Sequence, residues 1–482
     1  MIDELRVQRI NKVQELKSAG FSLYASKYPK QHNAKWIRDN FQEKSRVVCA
    51  GRIVALRAHG KSMFGDIKDS TGKVQFYIKK DIIGDDSFAF AKKLDIGDII
   101  GVEGELFMTH TQEPTILVSK MELLAKGLRP LPEKWHGLKD VELRYRKRYL
   151  DLISNPEIQK VFIQRSRIVA QIRRFLDEKG YLEVETPMMH PLAGGAAGKP
   201  FVTHHDALDM ELFLRIAPEL YLKKLLVGDM DRVYEINRSF RNEGLSTRHN
   251  PEFTMLEVYT AYADYKDMMD LTRDIITHIA DTVLGTRELV FGSQKIDLNT
   301  WEEVSFAKLM EDTFGIKPDD PEDVWLEKLK KKDIKVELKE GRISRTFILN
   351  LISDLLEIKA DHPVFITDIY TELCPLAKKK KDNPLLSERF ELFMGGMEVA
   401  NAYSELNDPL EQRQRFLEQA RDEGSCVIDE AFVEALEYGM PPAGGLGIGI
   451  DRIVMLFTNQ TSIKDVILFP QLKPEAEAEE ES

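Results

Sequence analysis

Cysteine is scarce in this chain: three residues among 482, Cys49, Cys374 and Cys426, with no paired spacing. That scarcity excludes a disulfide framework and a thiolate zinc site. Long apolar runs are also missing. No window approaches the ~18 consecutive apolar residues that a membrane helix requires, so no membrane partner is expected. The opening residues Met1-Ile2-Asp3-Glu4-Leu5-Arg6 mix charges and lack the apolar stretch of a signal peptide, which makes the cytoplasm the expected compartment. No internal repeat is present. No Ser/His/Asp or Cys/His arrangement marks a covalent nucleophile. Positive charge is in deficit, at a net −12, but the deficit is uneven. Residues 1–150 hold 28 Lys and Arg against 19 Asp and Glu, whereas the remainder holds 40 against 61. A basic first third on an acidic body points either to a polyanionic partner or to a solvated basic surface.

What is present is ample for folding. A composition of 43% hydrophobic and 31% charged residues is that of a globular protein, and the length implies about two to four domains. Residues 1–44 read as a helical segment, with a first helix ending near Gly20 and a second near Asn33–Phe41. Residues 45–127 change to short alternating runs such as Lys73-Val74-Gln75-Phe76-Tyr77-Ile78, separated by Asp69-Ser70-Thr71-Gly72 and Gly97-Asp98. Several short strands in so few residues fit a small barrel, either an oligonucleotide-binding (OB) barrel or an SH3-like one. Two prolines in Leu128-Arg129-Pro130-Leu131-Pro132 open a linker over 128–150. Residues 151–473 read as one α+β domain, with a Lys-rich insertion over about 308–360. The last nine residues, 474–482, carry five glutamates and are expected to be a disordered acidic tail.

Two blocks in the α+β region carry chemistry. Phe240-Arg241-Asn242-Glu243-Gly244 precedes Arg248-His249-Asn250-Pro251-Glu252-Phe253. If Arg241 and Glu243 lie on one strand they share a face. Arg offers a fork for phosphate and carboxylate oxygens, Glu an acceptor for an amine, and Phe a flat stacking surface. About 200 residues on, Gly444-Gly445-Leu446-Gly447-Ile448-Gly449 runs into Ile450-Asp451-Arg452; alternating glycines leave room for a bound ring. Between the blocks, Gly395-Gly396 reads as a two-residue hairpin turn that pairs Phe393 with Glu398 and brings Glu391 diagonally close. Strict alternation puts Asn401, Tyr403 and Glu405 on one strand face and Glu398 on the other. A bulge or a twist near Val399–Asn401 is needed if all four are to share one site.

In this order the blocks resemble motif two (about 232–257) and motif three (about 444–456) of the class II aminoacyl-tRNA synthetases. Ser166–Gly180 with Tyr181-Leu182-Glu183-Val184-Glu185-Thr186-Pro187 resembles motif one, over about 166–187. The similarity is to the subgroup that charges lysine, aspartate and asparagine, and within it to the lysyl members, on Leu214-Arg215-Ile216-Ala217-Pro218-Glu219-Leu220-Tyr221-Leu222-Lys223, Ala261-Tyr262-Ala263-Asp264-Tyr265 and Asn401-Ala402-Tyr403-Ser404-Glu405-Leu406-Asn407-Asp408. The resemblance implies an OB barrel, then a catalytic domain with an antiparallel sheet flanked by helices, acting on ATP, L-lysine and tRNA(Lys) as a motif-one homodimer. It implies that Arg241 and Arg452 are catalytic, with Arg241, Glu243, His249, Phe253, Glu391 and Arg452 around ATP. It places Gly195, Glu219, Arg241, Glu257, Tyr259, Asn401, Tyr403 and Glu405 around lysine. Glu391 and Glu398 would hold Mg²⁺, two or three ions with ATP. Arg57, Phe64 and Gln75 would read the anticodon. An aspartyl or asparaginyl member would want a cationic pocket, whereas Glu219 and Glu405 make an anionic one. Leu56-Arg57 and Gly198-Lys199 depart from the dipeptides usual at those places.

Overall fold

A computed structural model describes residues 2–132, 138–195, 198–334, 345–356, 358–423 and 428–474. The first alternating region forms β1 (Arg46–His59), β2 (Ser62–Asp69), β3 (Gly72–Lys79), β4 (Ile99–Met108) and β5 (Pro114–Ala125). Residues two apart share a strand face. Met63, Ile67, Val74, Phe76 and Ile78 therefore turn inward and are buried, while Phe64, Gln75 and Tyr77 turn outward. The strands close in the order β1-β2-β3-β5-β4, with β3 parallel to β5. That crossover is the Greek-key closure of an OB barrel and leaves no open edge. Helix α1 (Ile2–Ser18) is polar on most of its surface and buries Val13 and Leu16 in the barrel's core. Arg9 fastens it by donating to the carbonyls of Ile96, Gly127 and Arg129. A short helix, α2 (Ala34–Asp39), starts at Asn33, whose side chain accepts from Trp36 N. These elements belong to one compact unit, Met1–Lys139; the second is Asp140–Ser482.

The second unit is built on eight strands: β6 (Leu182–Glu183), β7 (Arg232–Phe240), β8 (Glu252–Ala261), β9 (Glu302–Ser305), β10 (Val364–Thr367), β11 (Arg389–Met394), β12 (Met397–Ser404) and β13 (Ala443–Gly449). Their order is β9-β10-β11-β12-β13-β8-β7-β6. The sheet is mixed rather than purely antiparallel: β9 with β10, and β6 with β7, run parallel at its two edges. Parallel neighbours need a long crossover. That of β9 and β10 consists of α6 (Phe306–Phe314), α7 (Glu322–Lys331) and α8 (Arg345–Leu355), which share a core around Met310, Trp325, Ile348 and Ile352. This is the stretch expected to be an insertion; residues 335–344 and 357 of it lie outside the described residues, as does the tail after 474.

The main core lies between the sheet and three helices, α3 (Pro156–Glu178), α5 (Tyr265–Ile279) and α9 (Ile450–Phe457). In α3, proline at the first position presets helical φ. Its stripe Ile158, Val161, Ile168, Ile172 and Leu176 recurs at helical spacing and is buried. The sheet's other face carries α4 (Glu219–Val227), whose Leu222 and Leu226 pack with Val233 and Tyr259. No helix among the described residues is long and apolar enough to cross a membrane.

Candidate active site

Two rows of cross-strand partners cross the middle of the sheet. In one, Glu391 faces Asn401, then Gly447, Glu257 and Glu235; in the next, Arg389 faces Tyr403, then Gly445, Tyr259 and Val233. Side chains in one row share a face, and the centre of each row is glycine. The result is a groove with a bare floor along β13 and polar walls on both sides. Leu446 and Ile448, between the glycines, point into the core behind. Close approach fixes glycine at 445: a Cβ there would lie 1.9 Å from Glu405 Oε1 and 2.7 Å from Tyr259 Cε1.

Of the bulge or twist that the sequence allows, the wall formed by β12 contains a bulge. Phe393 pairs with Glu398 across Gly395-Gly396, both of positive φ (55° and 71°), while Leu392 pairs with Ala400. Val399 is the extra residue, and one extra residue reverses the alternation beyond it. Glu398 thereby joins Asn401 and Tyr403 on the groove side instead of facing away.

At one end of the groove, three carboxylates converge out of water: Glu219 at the start of α4, Glu257 on β8 and Glu405 just beyond β12, exposed by 7%, 6% and 0%. Tyr403 donates to Glu219 Oε1 at 2.5 Å and Tyr259 to Glu257 Oε2 at 3.3 Å. Lys223, one turn along α4, is fully buried; it donates to Glu219 Oε1 at 2.6 Å and forms an ion pair with Glu405 Oε2. Neither Glu405 carboxylate oxygen has a hydrogen-bond partner, and Oε1 lacks also the ion pair that Oε2 makes with Lys223. Burial raises the Glu405 carboxyl to about 8, with Lys223 opposing and Glu219 adding. Burial, then Glu219, likewise raises Glu257 to about 8. Gly195 borders this end, since a Cβ on it would lie 3.7 Å from Glu219 Cβ.

At the other end the sequence reading needs a correction. Arg241 and Glu243 are not on a strand: β7 stops at Phe240. The backbone leaves the ladder because Asn242 N donates to Lys199 O at 2.7 Å and Glu243 N turns back to Arg241 O. Arg241 and Glu243 still lie together, both about 3.2 Å from where a Gly198 Cβ would sit. The Arg241 guanidinium lies 5.2 Å from the centre of the Phe253 ring, and its buried Nε has no hydrogen-bond partner. Burial lowers its pKa from the usual arginine value. Arg452, in the first turn of α9, donates to Glu398 O at 2.5 Å and reaches His249 Nε2 at 3.4 Å. Burial, then Arg452, pushes His249 below its ordinary range and favours the neutral ring. Arg389 donates to Glu391 Oε1 at 2.7 Å and to Asn401 Oδ1 at 3.0 Å. Burial raises Glu391 to about 7 against the pull of Arg389.

On the barrel, Phe64 stacks on Tyr77 with ring centres 4.2 Å apart, and Tyr77 approaches Phe107 at 6.0 Å. Arg57 is the exposed cross-strand partner of Phe64. Gln75 Oε1 accepts from Thr115 Oγ1 at 2.8 Å. Aromatic rings beside hydrogen-bonding side chains on an outer sheet face suit unstacked single-stranded bases.

Residues 140–473 match the model of the class II tRNA synthetases for aspartate, lysine and asparagine, and residues 47–124 that of an OB-fold nucleic-acid-binding domain. The chain belongs to this class II synthetase family. It is 54% identical to a lysine–tRNA ligase of Carboxydothermus hydrogenoformans over 98% of this chain and 99% of the relative. A lysine–tRNA ligase of Pelotomaculum thermopropionicum is 50% identical, over 98% and 96%, and one of Bacillus subtilis 46% identical, over 98% and 97%.

Three polar residues that line or brace the groove of this synthetase have no role assigned from the sequence, although Lys223 and Asp451 stand inside its motifs. Lys223 stands four residues after Glu219, a spacing that reads as an ordinary helix-surface pair. Arg389 stands two residues before Glu391 and so shares its face. Asp451 accepts from Arg165 Nη1 on α3 at 2.5 Å and from Thr254 N on β8 at 2.7 Å, tying the turn that carries Arg452 to the residue after Phe253.

Proposed function

We propose that this protein activates L-lysine with ATP and transfers it to the 3′ end of tRNA(Lys), in the cytoplasm and as a homodimer. One observation carries the choice of lysine: the buried acidic pocket whose Glu405 Oε1 lacks a partner. A side-chain ammonium satisfies that atom and its charge, whereas an aspartate side chain would bring a second negative charge and an asparagine amide, though it can donate, no compensating positive one. The names of the relatives support the same reading. Exposed Ile163, Leu182, Met188 and Met189, on α3 and close after it in the chain, support pairing with a second copy.

Tyr259 closes the pocket beside Glu405 and sets its length. Glu219, Glu257, Asn401, Tyr403 and Gly195 surround the amino-acid backbone, and Arg241 takes its carboxylate. Phe253 offers its face to adenine and Glu243 accepts from the adenine amine. His249 and Arg452 meet the outer phosphates. Glu391 and Glu398 fit a magnesium ion: both present hard carboxylate oxygens to the groove across a two-residue turn. Among the described residues no third His, Cys, Asp or Glu joins them, as suits an ion that takes one or two carboxylates and completes its shell with phosphate and water. Two or three Mg²⁺ ions, bound with ATP, would neutralise the phosphates and polarise the α-phosphate.

In the first step the lysine carboxylate, aligned by Arg241, attacks the α-phosphate in line and pyrophosphate leaves toward Arg452 and His249. In the second, a hydroxyl of the terminal tRNA ribose attacks the acyl carbon and AMP leaves. Fixed guanidinium groups stabilise the developing charge, and no side chain becomes covalently attached. Arg57, Phe64 and Gln75 read the anticodon. The test is ATP–pyrophosphate exchange run with each amino acid in turn. Lysine alone is expected to support exchange; exchange with aspartate or asparagine, or none with lysine, would overturn the reading.

A further inference from the structure

Lys223 has no role in the reaction just described, yet it sits inside the amino-acid pocket. It is fully buried, bonded to Glu219 Oε1 and paired with Glu405 Oε2, with the Tyr403 and Phe432 rings 5.5 and 5.9 Å from its ammonium. Three buried carboxylates without an internal cation would not stay ionised together, because an uncompensated buried charge is neutralised instead. With Lys223 the pocket carries two excess negative charges when all three carboxylates are ionised. Lysine brings two ammonium groups, and its carboxylate goes to Arg241, so the charges close.

We infer that Lys223 is a positioning residue for amino-acid selection: it holds Glu405 through Oε2 and leaves Oε1 as the acceptor for the side-chain ammonium of the substrate. The inference rests on the assignment of Glu219 and Glu405 to lysine. The other titratable groups facing Glu405 are Glu219 on α4, Glu257 and Tyr259 on β8, and Tyr403 on β12; β13 contributes Gly445, whose missing side chain gives Oε1 its opening. Of these, Lys223 is the group that favours the ionised carboxylate.

Lys223→Met keeps a similar length and removes the charge; Lys223→Gln removes the charge but keeps a donor. Both are assayed by lysine-dependent pyrophosphate exchange from pH 6 to pH 9.5, with folding checked by circular dichroism. The lysine KM near neutral pH should rise by roughly 10-fold or more, with kcat and the ATP KM within about twofold of the parent. Losing the cation strengthens proton binding by Glu405. The acid limb of kcat/KM for lysine should therefore move to higher pH, and most of the loss should recover at the alkaline end. A loss equal at every pH, or an ATP KM rising in step, would make Lys223 a support of the fold only. Failure of both variants to fold would count the same way. Near-parent behaviour would remove Lys223 from selection. Glu405→Gln separates the two levels: if it leaves lysine use intact, the pocket assignment itself fails; if it is impaired while Lys223→Met is normal, only this inference fails.

Discussion

Glu405→Gln keeps the shape of the side chain and deletes its charge. The cost follows from the pocket. A carboxylate and an ammonium ~4 Å apart at an effective dielectric of ~20 attract by about 4 kcal/mol. Burial raises the Glu405 carboxyl to about 8, so near neutral pH part of this attraction is offset by the cost of keeping the carboxyl ionised for lysine. The loss at pH 7 should therefore fall below that full 4 kcal/mol, on the order of 100-fold in kcat/KM for lysine. By pH 9 the carboxyl ionises without cost, and the loss should approach the full 4 kcal/mol, about 10³-fold. The parent's kcat/KM for lysine should thus climb from pH 6 to about 8 and level off, while the variant, lacking the titrating group, should not show that limb. Pyrophosphate exchange at subsaturating lysine measures both curves. A parent-to-variant ratio below about threefold that stays flat with pH would refute the electrostatic reasoning.

Three further outcomes are expected. Gly445→Ala places a methyl 1.9 Å from Glu405 Oε1 and should cost about 1–3 kcal/mol by overpacking, seen as a higher lysine KM with an unchanged ATP KM. Glu398→Gln should raise the Mg²⁺ concentration for half-maximal exchange several-fold and slow activation, while tRNA affinity by filter binding stays within about twofold; equal loss of tRNA affinity would make Glu398 a support of the fold. Phe64→Ala should weaken tRNA binding by about 1–3 kcal/mol, the range for one stacked base, and leave both the salt slope and tRNA-independent exchange as they were. A folded Phe64→Ala protein that charges tRNA like the parent would return the basic barrel to the status of a solvated surface.

The barrel was legible because a closed sheet buries alternate residues, and that period survives in Met63, Ile67, Val74, Phe76 and Ile78. The turn at Gly395-Gly396 was legible for a local reason: two residues of positive φ in sequence demand glycine. The mutual position of Glu398 and Asn401 was not, because a bulge is fixed by how the whole strand seats against its neighbours. Alternation alone could show only that a bulge or a twist was needed. Arg241 and Glu243 looked like strand residues until the contact with Lys199, some forty residues earlier in the chain, pulled the backbone away. The parallel outer strands depend on the path of long connections, which local pattern does not encode. Lys223 shows the same limit in a side chain. Its spacing from Glu219 is visible, but only the packing of α4 against β7 and β8 turns a surface-type pair into a buried one.

The groove's electrostatics give these details a common logic. Glu405 is held by Lys223, Glu391 by Arg389, and Glu398 by Arg452, which reaches its backbone carbonyl and, at 3.4 Å, its Oε2. Each carboxylate assigned to a cation of the reaction therefore meets a cation of the chain at one of its atoms and is aimed by it. Such prior orientation lowers the reorganisation demanded when substrates enter. The orphaned polar atoms complete the argument. Arg241 Nε and Glu405 Oε1 are buried groups of opposite charge type, both without hydrogen-bond partners. Leaving such groups unsatisfied costs about 1–3 kcal/mol each. Free lysine carries one carboxylate and one side-chain ammonium, and so relieves both. An apolar side chain relieves only the first, and a neutral donor leaves the charge of Glu405 uncompensated, so the cost that remains at Glu405 works against the binding of either.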